Sequence, residues 1–150
     1  MKRKICTALA GTVLCFCLTG CGPSAAQRVV YGNDEEIARQ SDTYFYVKHL
    51  ADHSGNLYSE SFGSFTGSDT IWSKTVKDGT ELELFCSADI EEGDWKLALI
   101  SPDDTVTILL EGSGDLDTEI VLTGGKWRLK SVGLEAKGSA ELTVETEDVK

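Results

Sequence analysis

The chain has 150 residues, 14 basic against 25 acidic, and a net charge of −11 at pH 7. Hydrophobic residues make up 41% and charged residues 26%, the balance of a folded domain rather than of a disordered or fibrous chain. The acidic excess argues against nucleic acid and anionic lipid headgroups as partners, because both would be repelled.

In chain order, Met1-Lys2-Arg3-Lys4 is a short positive segment, and Ile5 to Leu18 is an apolar run of signal-peptide length, too short to span a bilayer. At its end, Leu18-Thr19-Gly20-Cys21 resembles the lipobox of bacterial lipoproteins. An ordinary secretory signal needs small residues at both positions flanking its cleavage site, and here a Leu stands three before the cysteine. The resemblance implies that residues 1–20 are removed and that the sulfur of Cys21 carries a diacylglycerol. The protein is then lipid-anchored on the outer face of the cell membrane. Gly22 stands where an Asp would resemble an inner-membrane retention signal, which leaves the outer membrane open in a diderm cell. Two acyl chains hold a protein stably where one binds reversibly.

Removal of residues 1–20 takes three bases and no acid from the 14 and 25, leaving 11 against 25 and a net charge of −14. The 130 residues left of 150 are one domain's length and can bury a core without staples. They hold little material for a disulfide: Cys6, Cys15 and Cys17 leave with the signal and Cys21 is lipidated, so Cys86 is alone. In phase with Leu82 and Leu84, Cys86 reads as a small buried hydrophobe.

Residues 21–32, with Gly22, Pro23, Ser24, Ala25 and Ala26, read as the lipidated cysteine and a flexible tether, and residues 33–150 as the ectodomain. Asn33 followed by Asp34, Glu35 and Glu36 is a helix start, a cap with acids at the positive end of the dipole. It predicts one short helix to about Gln40. From Thr43 to Leu50 the aromatic and β-branched run Tyr44-Phe45-Tyr46-Val47 favours a strand, although Ile37, Tyr44, Val47 and Ala51 also fit one helical face.

From Leu57 onward, segments of six to ten residues bounded by Gly, Asp or Ser follow one another: 57–66, 69–76, 80–88, 94–101, 104–111, 117–123, 125–132 and 137–146. Alternation supports strands, with Leu82, Leu84, Cys86 and Ala88 against Glu81 and Glu83, and Leu142 and Val144 against Glu141, Thr143 and Glu145. Trp95, Leu97 and Leu99 repeat the rule, as do Val106, Ile108 and Leu110. Ser101-Pro102-Asp103-Asp104 is a turn with Pro where its fixed φ suits, and Gly124-Gly125 permits a tight hairpin. The expected fold is all-β, a single antiparallel β-sandwich of jelly-roll or similar type.

The run Phe62-Gly63-Ser64-Phe65-Thr66-Gly67, then Asp78-Gly79-Thr80, Gly93-Asp94-Trp95-Lys96-Leu97, Ser101-Pro102-Asp103 and Gly125-Lys126-Trp127-Arg128-Leu129 resembles the small β-sandwich lipoproteins of Gram-positive bacteria. Those share a broad likeness with carbohydrate-binding-module jelly rolls. The resemblance covers roughly residues 57–146 and implies a fold; it carries no catalytic residue to transfer.

Three tryptophans bear on ligand binding, since flat rings on a sheet face can stack on sugar rings. Trp95 and Trp127 fall in phase with core leucines and read as core. Trp72 follows Ile71 directly, so one of the two points outward unless both faces are covered. Trp72, with Tyr44, Tyr46 and Tyr58, is therefore the candidate ligand platform. Asp115, Asp117 and Glu119 alternate and would project from one strand face, where a hard cation such as calcium could sit; but Ile120 stands where an EF-hand loop needs Gly, and a charged edge strand explains them equally well. The pair Glu91-Glu92 beside Gly93-Asp94 reads as a solvated turn.

His49 and His53 would share a helix face, but the strand expected there removes that geometry and leaves exposed loop histidines. No Gly-x-Ser-x-Gly, His-activated Ser or phosphate-cradling loop is present, and the residues imply no cofactor. The reading is of a non-enzymatic, membrane-anchored binding module for an envelope glycan or a surface protein, held to the lipid bilayer through Cys21. The alternatives are an accessory lipoprotein with no ligand of its own and an enzyme whose site the sequence hides.

Overall fold

The computed structural model describes residues 20–148. Residues 1–19, with Leu18 and Thr19 of the expected lipobox, lie outside the described residues, and Cys21 near their start is exposed. Among the described residues are two short helices, α1 (Ala25–Val29) and α2 (Asp34–Ala38), and seven strands: β1 (Thr43–Val47), β2 (Leu50–Ser54), β3 (Leu57–Val76), β4 (Thr80–Ile100), β5 (Val106–Glu111), β6 (Gly114–Leu122) and β7 (Gly125–Glu147). All strand pairs are antiparallel.

Helix α2 forms where the acidic run predicts it. Asn33 Oδ1 accepts the N–H groups of Glu35 at 3.0 Å and Glu36 at 3.3 Å, satisfying donors that the first turn leaves free. Helix α1 lies in the segment expected as a tether. Ser24 and Gln27 cap each other's backbone there, and Val30 just after it is fully buried, so the ordered body begins at Ser24.

The eight segments expected between residues 57 and 146 become five strands, because three pairs of them are single long strands bent in the middle. β3, β4 and β7 run for 20, 21 and 23 residues, where a strand commonly has about five or six. Register shifts mark the bends, at Phe62/Phe65 and Phe65/Gly67 in β3 and at Ile90/Glu92 and Glu92/Asp94 in β4. A bulge adds a residue to one strand, increases its twist and exchanges the two faces of the pleat. Accordingly Leu82, Leu84, Cys86 and Ala88 are buried before the bend of β4, and Trp95, Leu97 and Leu99 are buried after it. Glu91 and Glu92, expected in a solvated turn, lie inside β4 at this bend, exposed.

The sheet thereby folds back on itself into two leaves. One leaf holds β2, the first part of β3, the last part of β7, the first part of β4, and β6; the other holds β1 and β5 at its edges and the remaining parts of the same three strands between them. The result is the antiparallel β-sandwich that the alternation predicts. Gly124-Gly125 closes no hairpin, because β6 pairs with β4 while β7 opens against Val76 of β3, and these glycines pass the chain from one leaf to the other. Ser101 to Asp104 does turn as expected, with the Asp104 N–H donating to the Ser101 carbonyl at 3.0 Å.

Between the leaves, Phe65, Leu82, Leu84, Trp95, Leu97, Leu129 and Leu142 form the core. Cys86 is among them, its thiol pushed up to about 12 by burial first and then by Glu60 and Asp115, which keeps it unreactive. The second leaf is buried on its outer face too, where Val30, Ile37 and Ala38 cover Ala98, Ile100 and Val132. Two buried cations close that seam: Arg128 donates to the carbonyls of Ala38 at 2.8 Å and Arg39 at 2.7 Å, and Lys130 to Arg39 at 2.7 Å. They satisfy the acceptors that the end of α2 leaves free.

One tight passage at the bends is at Gly93, whose φ is +71° and where an added Cβ would lie 2.2 Å from the Glu135 carbonyl oxygen. Gly93→Ala is therefore expected to lose about 2–4 kcal/mol, combining backbone strain with a clash that only backbone movement relieves. Gly112→Ala, at φ +73° with nothing within 4 Å, carries the strain alone and should lose about 1–2 kcal/mol. Urea denaturation of the two variants checks the order, and equal losses would remove the fold-back passage from the account.

Candidate functional site

The leaves part at the end of the sandwich away from the bends. There a cleft of about 80 Å³ is lined by His53, Asn56, Leu57 and Tyr58 from the β2–β3 hairpin, by Ile71 and Trp72 from β3, and by Leu142 and Val144 from β7. Trp72 and Ile71 both turn toward the interior because the β3 register shifts between Thr70 and Trp72. The bulge thus settles the choice that strict alternation would force between these neighbours. Trp72 is half-buried, its ring packed against the core margin.

The four candidate aromatics do not form one platform. Tyr58 sits with Trp72 at the cleft but is only 6% exposed, because alternation turns it inward with Glu60 and Phe62; the expectation of an exposed ring is corrected there. Tyr44 and Tyr46 lie together on the edge strand β1, their ring centroids 5.3 Å apart. Tyr44 is exposed, while Tyr46 is half-buried, stacked between Phe65 and His49 with centroid distances of 4.4 and 3.7 Å. Of the two tryptophans expected in the core, Trp95 is fully buried. Trp127 is half-buried at the core margin, its Nε1 donating to the Thr123 carbonyl at 2.8 Å.

Behind the cleft lies a buried polar network that the sequence gives no motif for. The Glu60 side chain is 0% exposed. Its Oε1 accepts the Ser131 hydroxyl at 2.6 Å, and Ser131 accepts the Trp95 Nε1–H at 2.8 Å. Its Oε2 accepts the Tyr58 hydroxyl at 3.0 Å and has the Tyr46 hydroxyl at 3.5 Å. Tyr46 also reaches Asp69 Oδ2 at 3.2 Å. His49 Nε2 lies 3.6 Å from the same Glu60 oxygen and has no hydrogen-bond partner. His49 is therefore a half-buried member of this network, contrary to the exposed loop residue expected, because the chain crosses from β1 to β2 there with Lys48 at φ +53°. His53 is exposed, its ring beside Tyr58.

Burial dominates the chemistry of this network. It raises the Glu60 carboxyl against the lowering effect of the Ser131 and Tyr58 hydroxyls, and it raises Asp69 likewise. Tyr46 and Tyr58 are pushed up by burial first and by Glu60 next, so both stay neutral donors. Glu60 is closed to solvent and occupied on both oxygens, and it works as a brace between the leaves.

Asp115, Asp117 and Glu119 project together from the exposed face of β6, as alternation predicts. β6 is an edge strand paired only with β4, and its Glu119 stands directly opposite Glu83, which in turn faces Glu145 of β7. The carboxylates form an extended acidic face, and among the described residues no group of three or more His, Cys, Asp or Glu side chains is arranged to hold a metal ion. Also among the described residues, no helix is long and apolar enough to cross a membrane.

No family model matches the sequence, and no curated protein is similar to it. Among solved structures, the chain is similar to the exo-β-1,3-galactanase from Phanerochaete chrysosporium with galactose, at 10% identity and a TM-score of 0.40, covering 70% of this chain and 29% of that one. A CBM4 structure is similar at 8% identity and a TM-score of 0.35, covering 66% and 78%. Accessory secretory protein 1, 2 and 3 of Streptococcus pneumoniae gives 13% and 0.33, covering 71% and 96%. These likenesses concern the fold alone, and the chain spans about three-tenths of the galactanase, 29% of its length.

The raised carboxyls give stability a definite sign with pH. Glu60 and Asp69 are raised by burial; Glu83 is raised by desolvation and then by Glu119, Glu147, Glu145 and Glu81. A raised carboxyl binds its proton at higher pH in the folded than in the unfolded chain, so stability falls as pH climbs from about 4.5 through the raised value. Urea midpoints are thus expected to be higher at pH 5 than at pH 8. Glu60→Gln keeps an acceptor for Ser131 and should flatten this slope by up to about 1.4 kcal/mol per pH unit, without loss of stability at pH 8. An unchanged slope would remove Glu60 as its source.

Proposed function

We propose that this protein is a lipid-anchored extracytoplasmic binding module, held to the bilayer through Cys21, whose cleft at Trp72 and Tyr58 takes a neutral sugar unit of the cell envelope. The observation that carries the reading is the half-buried Trp72 ring in a cleft between the leaves, backed by the buried Tyr58, with His53 and Asn56 on its lining. Sugars present apolar C–H faces and a rim of hydroxyls, so rings for the faces and a few polar groups for the rim are the chemistry such a ligand needs. A net charge of −14 after residue 20, 11 bases against 25 acids, disfavours anionic polymers and leaves neutral ones. The closed state of Glu60 favours binding over catalysis, since a carboxyl that meets no solvent meets no substrate. The exposed Cys21 is free to carry lipid.

Two experiments test the two halves of this reading. Cys21→Ala should move the protein from the detergent phase to the aqueous phase in membrane fractionation, because the two acyl chains supply the membrane affinity; unchanged partitioning would sink the anchor. For the cleft, residues 22–150 are titrated with neutral envelope oligosaccharides while indole fluorescence is followed. Asn56→Ala, an exposed substitution expected to change stability by no more than about 0.5 kcal/mol, should weaken binding. Trp72→Ala should abolish it while losing about 1–3 kcal/mol, less than the cost of a fully buried Trp. A failure of every neutral oligosaccharide to shift the fluorescence would leave the accessory, ligand-free reading.

A further inference from the structure

We infer that the cleft faces away from the bilayer, so that its sugar comes from a polymer beyond the headgroup layer and not from a glycolipid in the membrane that holds the anchor. The inference rests on the anchor and cleft proposed above and adds their relative placement, which follows from four observations.

The link between Cys21 and the folded body is short. Ser24 is already the cap of α1, its N–H donating to Gln27 Oε1 at 2.7 Å and its Oγ accepting the Gln27 N–H at 3.3 Å. Gly22 and Pro23 alone stand between the anchor and that cap, a span of at most about 11 Å at roughly 3.6 Å per residue.

α1 is fixed at the fold-back end of the sandwich. Gln27 Nε2 donates to the Tyr44 carbonyl at 2.8 Å, and Tyr44 is paired with Gly67, at the bend of β3. Arg28 is ion-paired with Glu135, whose carbonyl is the atom packed against Gly93 at the bend of β4. The lipid therefore enters where all three long strands turn.

The cleft lies at the other end of those strands. Trp72 is five residues beyond Gly67, Tyr58 is four before Phe62, and Leu142 and Val144 are four and six beyond Gly138. At about 3.3 Å per residue these offsets are roughly 13–20 Å, all directed away from the bends.

Charge opposes any arrangement in which the domain lies flat. Glu81, Glu83, Asp115, Asp117 and Glu119 spread over the outer face of one leaf, and they would meet the anionic headgroups of a bacterial membrane with like charge. The short link and the acidic body together keep the cleft end outermost.

The test uses the lipidated full chain reconstituted into mixed phosphatidylcholine and anionic phosphatidylglycerol vesicles that carry a nitroxide on the headgroup as a contact quencher. Single labelling sites are introduced as Glu92→Cys at the bend and Ser54→Cys beside the cleft, both at exposed positions, while the native Cys86 is fully buried and closed to labelling. Fluorophores at residue 92 should be quenched by the headgroup nitroxide and those at residue 54 should not. Equal quenching, or stronger quenching at 54, would overturn the placement and assign the cleft to the headgroup layer, hence to a glycolipid. Failure of the protein to float with the vesicles would instead overturn the anchor reading, and this inference with it; the titration of residues 22–150 with soluble sugar reads the cleft independently of either result.

Discussion

The architecture depends on bending three long strands along one line, where backbones approach closely at Gly67 against the Thr43 carbonyl, at Gly93 against Glu135 and at Gly138 against Asp89. Three strands of 20 residues or more would make a sheet far too long and apolar to stay flat in water, and a flat sheet of this composition would expose one leucine-lined face throughout. Bending all three strands along one line brings that face against itself. The sandwich, the line along which α1 is pinned and the parting of the leaves at the far end are consequences of the same fold-back. A side chain at residue 93 would meet the backbone of Glu135 and Leu134 on the neighbouring strand at the bend itself.

A charge in the interior of such a small sandwich needs an explanation, and Glu60 has one in its partners. Isolated, a buried carboxylate costs several kcal/mol; here two hydroxyls donate to it, and the chain from Trp95 through Ser131 to Glu60 joins a strand of one leaf to two of the other. Apolar contacts alone leave the mutual register of two greasy faces weakly specified, because leucines slide past one another with little penalty. The hydrogen bonds from Ser131 and Tyr58 are directional and fix it. On the outer face of the second leaf the signs are reversed: Arg128 and Lys130 are buried cations, satisfied by the free carbonyls at the end of α2 and by Asp104 and Asp42. Burial lowers Lys130 while Asp42 opposes that shift.

The alternation of Leu82, Leu84 and Cys86 carried the strand assignment, and the fold class followed from it. The bends were legible too, in the parity of the buried residues: in β4 the inward set is even before residue 90 and odd after 94, and in β7 Leu129 is odd while Ala140, Leu142 and Val144 are even. A change of parity is the signature of a bulge, but in a lone sequence a bulge and a turn both appear as Gly with acids, which is why Glu91 to Asp94 read as a loop. The Ser24 and Gln27 cap of α1 was also visible, as a Ser followed three residues later by Gln, and the small residues around it obscured it. The cleft left no such trace. It is assembled from residues 53–58, 71–72 and 142–144, brought together by the fold-back, and no local spacing connects them. Glu60 was hidden for the opposite reason, since a Glu within an alternating strand ordinarily marks the solvent face.

The placement of charge ties the fold to the kind of partner it can meet. Of the 11 bases that follow residue 20, Lys96, Arg128 and Lys130 are buried against the N-terminal segment, whereas Glu60 is the one acid buried among the described residues. The surface is therefore more acidic than composition indicates, and the excess is concentrated on the outer face of the leaf that α1 and α2 leave bare. There Glu119, Glu83 and Glu145 stand in a cross-strand row, an arrangement that costs stability because like charges face each other. Its compensation is that an edge strand bearing Asp115, Asp117 and Glu119 repels the edge of a second copy, which would otherwise find unpaired N–H and C=O groups to extend the sheet. The cleft at Trp72 has no carboxylate in its lining, so the acidic excess lies elsewhere on the surface.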